Sequence, residues 1–223
     1  MDFTMKRQQL PGKLRLAGII DERVLSAVHQ VPRERFVPTG MRHLTYAPLP
    51  ITLGFGQAML PLPLSAIMLQ ALHLTGAETV LEIGTGSGYD AVLLSHLAKQ
   101  VHTIERLEPL RQMAQTRFEE MERPNIRLHT PAGPLGHPAD GPYDAIVVTA
   151  AAPCLPIALL EQLRPQGRLV VPIGGRSQQQ LLAVRRTDDG LQEERLGGCA
   201  VGPLIGDGGW PDAPMQEAPR PWF

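Results

Sequence analysis

Residues 80–89 read Val80-Leu81-Glu82-Ile83-Gly84-Thr85-Gly86-Ser87-Gly88-Tyr89, and no other stretch constrains the fold as much. An apolar run ends beside an acid, glycines follow at alternate positions, and a helical pattern opens near Asp90. A buried strand passes into a nucleotide-binding turn in this way, because glycine lacks Cβ and lets the backbone turn tightly against a ligand. A second apolar run, Val101-His102-Thr103-Ile104, also ends in an acid, Glu105. In a β-α-β unit, an acid about 20 residues beyond the glycines reaches ribose hydroxyls. The two signals together point to an adenosine-containing ligand.

The glycine spacing is G-x-G-x-G, not the G-x-G-x-x-G of dinucleotide enzymes. A pyrophosphate needs the amides of a helix N-terminus packed close to the strand. Glu82, just before the turn, would repel it. A carboxylate suits a cation instead. S-adenosylmethionine carries a sulfonium, an ammonium and a ribose, so it fits Glu82 and Glu105 better than NAD does.

Composition narrows the function class. A chain of 223 residues suits one large domain, or a domain with extensions, and can bury a sizeable core. The net charge is -1, no long basic run occurs and aromatics are 4% of residues, which argues against nucleic-acid binding. Cys154 and Cys199 stand far apart without metal-ligand spacing, so no metal is expected and free cytosolic thiols are the simpler reading. The first residues lack a signal-peptide layout, and no run has the apolar length to span a membrane. A soluble cytoplasmic protein without membrane partners is expected, its oligomeric state open.

Three regions follow along the chain: an N-terminal helical extension and substrate loop over 1–75, an α/β cofactor domain over 76–196, and an irregular tail over 197–223. Residues 14–29 show helical spacing, with Asp21 as N-cap of a second helix from Glu22. Residues 46–63 carry Pro48, Pro50, Pro61 and Pro63 with Gly54 and Gly56, which predicts an ordered loop. A helix is predicted over 64–74. Strands are then predicted over 79–83, 101–105, 126–129, 144–149 and 168–172, and helices over 90–99, 108–121 and 155–163. This alternation predicts a doubly wound, mostly parallel sheet with its ligand outside the strands' carboxyl ends. Residues 181–186 and 191–196 predict paired strands around Asp188-Asp189-Gly190. The end of the tail is expected to be disordered.

Further motifs carry a family resemblance. Residues 80–89 and 101–106, Tyr143-Asp144-Ala145-Ile146-Val147-Val148-Thr149-Ala150-Ala151-Ala152-Pro153, the segment 159–175 ending Pro172-Ile173-Gly174-Gly175, and Gly54-Phe55-Gly56-Gln57 resemble the protein-L-isoaspartate O-methyltransferases. The resemblance covers about residues 5–190. It implies a class I methyltransferase fold with a seventh, antiparallel strand. It implies methyl transfer from S-adenosylmethionine to the α-carboxylate of L-isoaspartyl residues in damaged proteins, and hence protein repair. The implied cofactor positions are Glu82, Gly84, Thr85, Gly86, Ser87, Gly88 and Glu105, with Ala132 and Gly133 beyond the third strand. Asp144 has a structural role in this reading.

Two departures stand out. The family's substrate loop reads Gln-Thr-Ile-Ser, but this chain reads Gln57-Ala58-Met59-Leu60, so the hydroxyls at 58 and 60 are absent. Beyond strand three the family reads Gly-Asp-Gly, and here Pro131-Ala132-Gly133 stands, without the acid near the adenine. Two alternatives therefore stay open: a catalytically impaired cofactor- or partner-binding member, and a methyltransferase for a less polar acceptor. Met59, Leu60, Leu62 and Leu64 form either an apolar lid or core. His102 is expected to pack within its strand, His129 and His137 to face solvent, and Asp207 to serve a turn.

Overall fold

The computed structural model describes residues 3–212. Helices α1 (Phe3–Gln8), α2 (Leu10–Leu16) and α3 (Glu22–Gln30) open the chain. Asp21 caps α3 by accepting from Arg23 N and Val24 N, as the sequence predicts. The proline-rich stretch contains a small antiparallel hairpin of β1 (Ile51–Gly54) and β2 (Gln57–Met59), separate from the main sheet. Helix α4 (Leu62–Ala71) follows, with Pro63 in its first turn, where no amide donor is needed.

The α/β alternation then unfolds largely as predicted. It runs β3 (Thr79–Ile83), α5 (Tyr89–Leu97), β4 (Gln100–Ile104), α6 (Glu108–Glu120), β5 (Ile126–His129), β6 (Tyr143–Val148), α7 (Ile157–Leu160), β7 (Leu163–Gly174), β8 (Gln179–Thr187) and β9 (Gly190–Cys199). The sheet order is β5-β4-β3-β6-β7-β8-β9, with β3 to β7 mutually parallel. Strand β8 pairs antiparallel with both neighbours, so it is the one reversed strand of the seven. The order switches direction between β4 and β6 on either side of β3, which opens a crevice at their carboxyl ends.

Strand periodicity splits the core in two. Val80, Val101, Ala145, Val147 and Val170 face the cluster that contains the N-terminal helices and α5. Leu81, Ile83, Ile104, Ile146, Val148 and Leu169 face the other, around α7. The first cluster is continuous from Leu10 to Leu181, so the N-terminal helices share the sheet's core. Arg33, 1% exposed, clips the hairpin to this body. Its Nε donates to Thr45 O at 3.1 Å, its Nη2 donates to Leu60 O at 2.6 Å, and its guanidinium lies 4.6 Å over the Tyr89 ring.

Two expectations need correction, and one open alternative resolves. The helix over 155–163 shrinks to four residues, because β7 begins at Leu163 and pairs with Tyr143. The register then shifts before Arg168 pairs with Ala145, and Gln166 in this stretch takes a φ of +66°. The irregular tail begins after Cys199 and not at Gly197, because β9 runs to Cys199, and the chain then folds back over the sheet end. Ala151 N donates to Gly202 O at 2.8 Å, Leu204 N to Ala151 O at 2.6 Å, and Trp210 N to Leu204 O at 2.8 Å. The expected disorder at the end of the chain falls largely outside the described residues. Finally, Met59, Leu60 and Leu62 form core, with Leu64 partly buried against it, and no lid.

Leu60, 7% exposed, gives a test of this placement. Leu60→Ser, which restores the family hydroxyl, should cost about 2–5 kcal/mol of stability in urea denaturation. A loss within the ~0.5 kcal/mol typical of surface sites would contradict the core assignment.

Candidate active site

The glycine turn joins β3 to α5, and Gly84, Gly86 and Gly88 have φ of +98°, +54° and +85°. Side chains rarely adopt such values. A Cβ on Gly84 would stand 2.4 Å from Thr149 Oγ1, and one on Gly88 2.8 Å from the Phe118 ring. These two glycines therefore admit the protein's own side chains. Gly86 would meet Leu53 of the hairpin at only 3.5 Å, so its φ is what requires glycine. The Thr149 hydroxyl donates to Gly84 O at 2.7 Å and ties the turn to the end of β6.

Glu105 ties it to the end of β4. Its Oε2 accepts from Gly86 N at 2.9 Å and its Oε1 from Leu107 N at 2.9 Å. Each carboxylate oxygen has capacity for a further donor. Glu105 lines a cleft of about 370 Å³, within the size range of small-ligand sites. The cleft wall also includes Gln57, Gly84, Gly133 and Ala150. The returning tail contributes Leu204, Asp207 and Asp212.

Glu82 sits beneath the turn. It is 0% exposed, its Oε2 accepts from Thr103 Oγ1, and Thr103 Oγ1 stands 2.6 Å from Thr85 Oγ1. Its Oε1 has no hydrogen-bond partner among the described residues. Burial, then the charge of Asp90, pushes the Glu82 carboxyl well above its ordinary value. Thr85 and Ser87 are likewise buried, at 4% and 5% exposure, so they shape the turn from inside.

The other predicted positions divide. Gln57 reaches the cleft, whereas Ala58 faces outward on the hairpin opposite Thr52, and the Leu60 side chain is core. Gly133 lines the cleft while Ala132, its neighbour, is exposed. Asp144 accepts from Thr79 N at 2.8 Å and pairs with Arg164, the structural role expected of it. Asp207 lies in a turn, as expected, but its place in the cleft wall was not foreseen. Its Oδ2 accepts from Leu135 N at 3.0 Å, which pins the tail to the loop after β5. Only the return of the tail brings Asp207 here, and no local motif signals that return. His129 and His137 do not face open solvent: their rings stack 4.0 Å apart beside His102. Burial, with the neighbouring His137 and His102, lowers His129 to about 4.

The buried Glu82 generates a pH prediction. A raised folded pKa means that the folded protein holds the proton more tightly than the unfolded chain. The group's stabilising contribution is full below the ordinary value of 4.5 and is lost as pH rises through the folded value. Glu82→Gln should therefore gain stability relative to the parent protein as pH rises from 4.5 toward neutrality, read by urea denaturation at each pH. A pH-independent difference between the two would contradict the assignment.

Comparison with known proteins meets this geometry. Residues 5–207 match the family model described as Protein-L-isoaspartate(D-aspartate) O-methyltransferase (PCMT). The Protein-L-isoaspartate O-methyltransferase of Brucella anthropi is 40% identical over 213 residues, spanning 95% of this chain and 98% of that protein. A solved protein-L-isoaspartate O-methyltransferase superposes with a TM-score of 0.80 at 24% identity, covering 91% of this chain and 67% of the other. A Plasmodium falciparum PCMT structure in complex with S-adenosyl-L-homocysteine superposes with a TM-score of 0.74 at 23% identity, covering 88% of this chain and 97% of the other. The structural likenesses establish the class I methyltransferase fold, and the family match extends over the glycine turn, Glu105 and the tail up to Asp207. The chain belongs to the protein-L-isoaspartate(D-aspartate) O-methyltransferase family.

Proposed function

We propose that the cleft binds S-adenosylmethionine and serves methyl transfer to the carboxylate of L-isoaspartyl residues in damaged proteins. The observation that carries this reading is Glu105, held at the cleft wall by Gly86 N and Leu107 N with room for further donors on both oxygens. Ribose hydroxyls are donors of the required kind. The glycine turn brings the backbone of Gly84 to the same wall, and the buried Glu82 supports that turn from beneath through Thr103 and Thr85. The residues present thus fit S-adenosylmethionine, which supplies an activated methyl group when bound.

The reaction asks little acid–base chemistry of the protein. A carboxylate acceptor is already ionised near pH 7. The protein's task is to hold acceptor and methyl group in line, and proximity and orientation supply most of the acceleration. Gln57 is the polar hairpin side chain at the cleft and the candidate to orient the acceptor. Ala58 and Leu60 contribute no hydroxyl, and neither side chain lines the cleft. Asp207, with Gly133 and Leu135, forms the wall next to the loop that lacks an acid at Ala132.

A second reading, a less polar methyl acceptor, is favoured by the apolar wall of Ala150, Pro203, Leu204 and Ile205. We place the activity in the cytoplasm; Cys154 and Cys199 are both free thiols, as suits a reducing compartment. No helix among the described residues is long and apolar enough to cross a membrane.

The test is transfer of labelled methyl from S-adenosylmethionine to an isoaspartyl peptide, with the matching aspartyl peptide as control. Base-labile labelling of the isoaspartyl peptide alone is expected. Cofactor turnover only with uncharged acceptors would favour the second reading. Glu105→Ala removes two internal acceptors and the ribose partner, so cofactor affinity should fall about tenfold to a hundredfold, from the ~1–3 kcal/mol cost of unpaired buried donors. Unchanged affinity would remove Glu105 from the site.

A further inference from the structure

Three chain segments converge on a point outside the cleft. His102 on β4 and His129 on β5 share one face of the sheet, since His102 pairs with Arg127 and Ile104 with His129. Asp140 comes from the short 3-10 turn Pro138–Asp140 that covers this face. His102 Nδ1 stands 3.1 Å from His129 Nε2, His102 Nδ1 3.3 Å from Asp140 Oδ2, and His129 Nε2 3.8 Å from Asp140 Oδ2. We propose that these three atoms form a site for one divalent transition-metal ion, Zn²⁺ by its donor set, which fastens the loop over the cleft.

The geometry carries the assignment. A tetrahedral Zn²⁺ with bonds of about 2.0–2.1 Å holds its ligand atoms about 3.3–3.4 Å apart. The three separations bracket that value. Two imidazoles and one carboxylate are a common donor set for Zn²⁺ and its neighbours. A second layer holds the ligands in place. His137 Nε2 lies 3.0 Å from Asp140 Oδ2, and the Tyr143 ring packs edge-on to His102 at 5.6 Å. Tyr143 Oη donates to His137 O at 2.7 Å, and Gln162 Oε1 accepts from His137 N at 2.8 Å. Such outer partners orient metal ligands. The His102 side chain is 4% exposed, but those of His129 and Asp140 are 17% and 33% exposed, which leaves a route for the ion. Arg127 Nη1 lies 4.0 Å from the other Asp140 oxygen, and its side chain is 61% exposed, so it can move aside for a cation.

The consequence for the cleft rests on the cofactor reading above. The loop between His129 and His137 contributes Pro131, Gly133, Leu135 and Gly136 to the cleft wall. The ion would hold one end of this loop through His129 and the other through Asp140 and the attached His137. It would thereby fasten a stretch of cleft wall that has Ala132 in place of an acid. By linkage, a loop ordered by the ion favours the ligand that needs it ordered, and the reverse.

The full chain, freed of metal by a chelator, should be titrated with Zn²⁺ by calorimetry and with Co²⁺ by visible absorption. One ion per chain with micromolar affinity is expected, with the intense visible bands of tetrahedral Co²⁺. His129→Gln and Asp140→Asn should abolish those bands, and His137→Phe, which leaves the three ligands in place, should weaken binding about tenfold to a hundredfold. His43→Ala should change nothing. Failure of the unaltered protein to bind below millimolar metal would overturn the site, whether or not the variants fold. Equal binding by folded His129→Gln would also overturn it. S-adenosylhomocysteine affinity should be about tenfold tighter with Zn²⁺ present. Unchanged affinity would overturn the coupling. Absence of S-adenosylhomocysteine binding under all conditions, with Zn²⁺ still bound, would instead count against the cofactor reading.

Discussion

One carboxylate joins the two loops on which the site depends. Glu105 accepts Gly86 N with one oxygen and Leu107 N with the other, each at 2.9 Å, and so locks the turn after β3 to the turn after β4. The turn can come this close because Gly86 has a φ of +54°. Thr149 fastens the same turn to the end of β6. Three parallel strands thus end in one rigid rim, and the crevice at the switch point of the sheet gains a fixed wall. Rigidity matters here because methyl transfer depends on alignment more than on acid–base groups.

Beneath that rim lies a buried polar layer. Glu82, Thr103 and Thr85 form a chain of hydrogen bonds under the turn. The raised pKa of Glu82 is the electrostatic cost of keeping a carboxyl there. Arg33 plays the corresponding part on the hairpin side, where it donates to two carbonyls and stacks on Tyr89 at the start of α5. The same helix therefore receives the glycine turn at its N-terminus and the hairpin on its flank. Gln57 reaches the cleft because this packing sets the hairpin beside the turn.

Much of this was legible in the chain. Short apolar runs located β3 to β6 within a residue or so, and the Asp-Asp-Gly turn located the β8–β9 hairpin. These signals are local, since an apolar run or a turn residue acts within its own element. What escaped the sequence depends on long-range placement. The return of the tail joins Asp207 to Leu135, far apart along the chain, through a single backbone donor. The grouping of His102, His129 and Asp140 follows from strand register, which the separate runs do not display. Leu60 shows the opposite error. An aligned family position suggested a substrate contact, but in this chain an apolar residue there packs inward, and only its carbonyl takes a polar partner.

The rim built around Glu105 is the proposed S-adenosylmethionine site. Calorimetric titration of the purified protein with S-adenosylmethionine and S-adenosylhomocysteine tests it most directly. Saturable binding of both at micromolar concentration, one molecule per chain, is the predicted result. No heat of binding up to millimolar cofactor would contradict it and would leave the family fold without the family's cofactor.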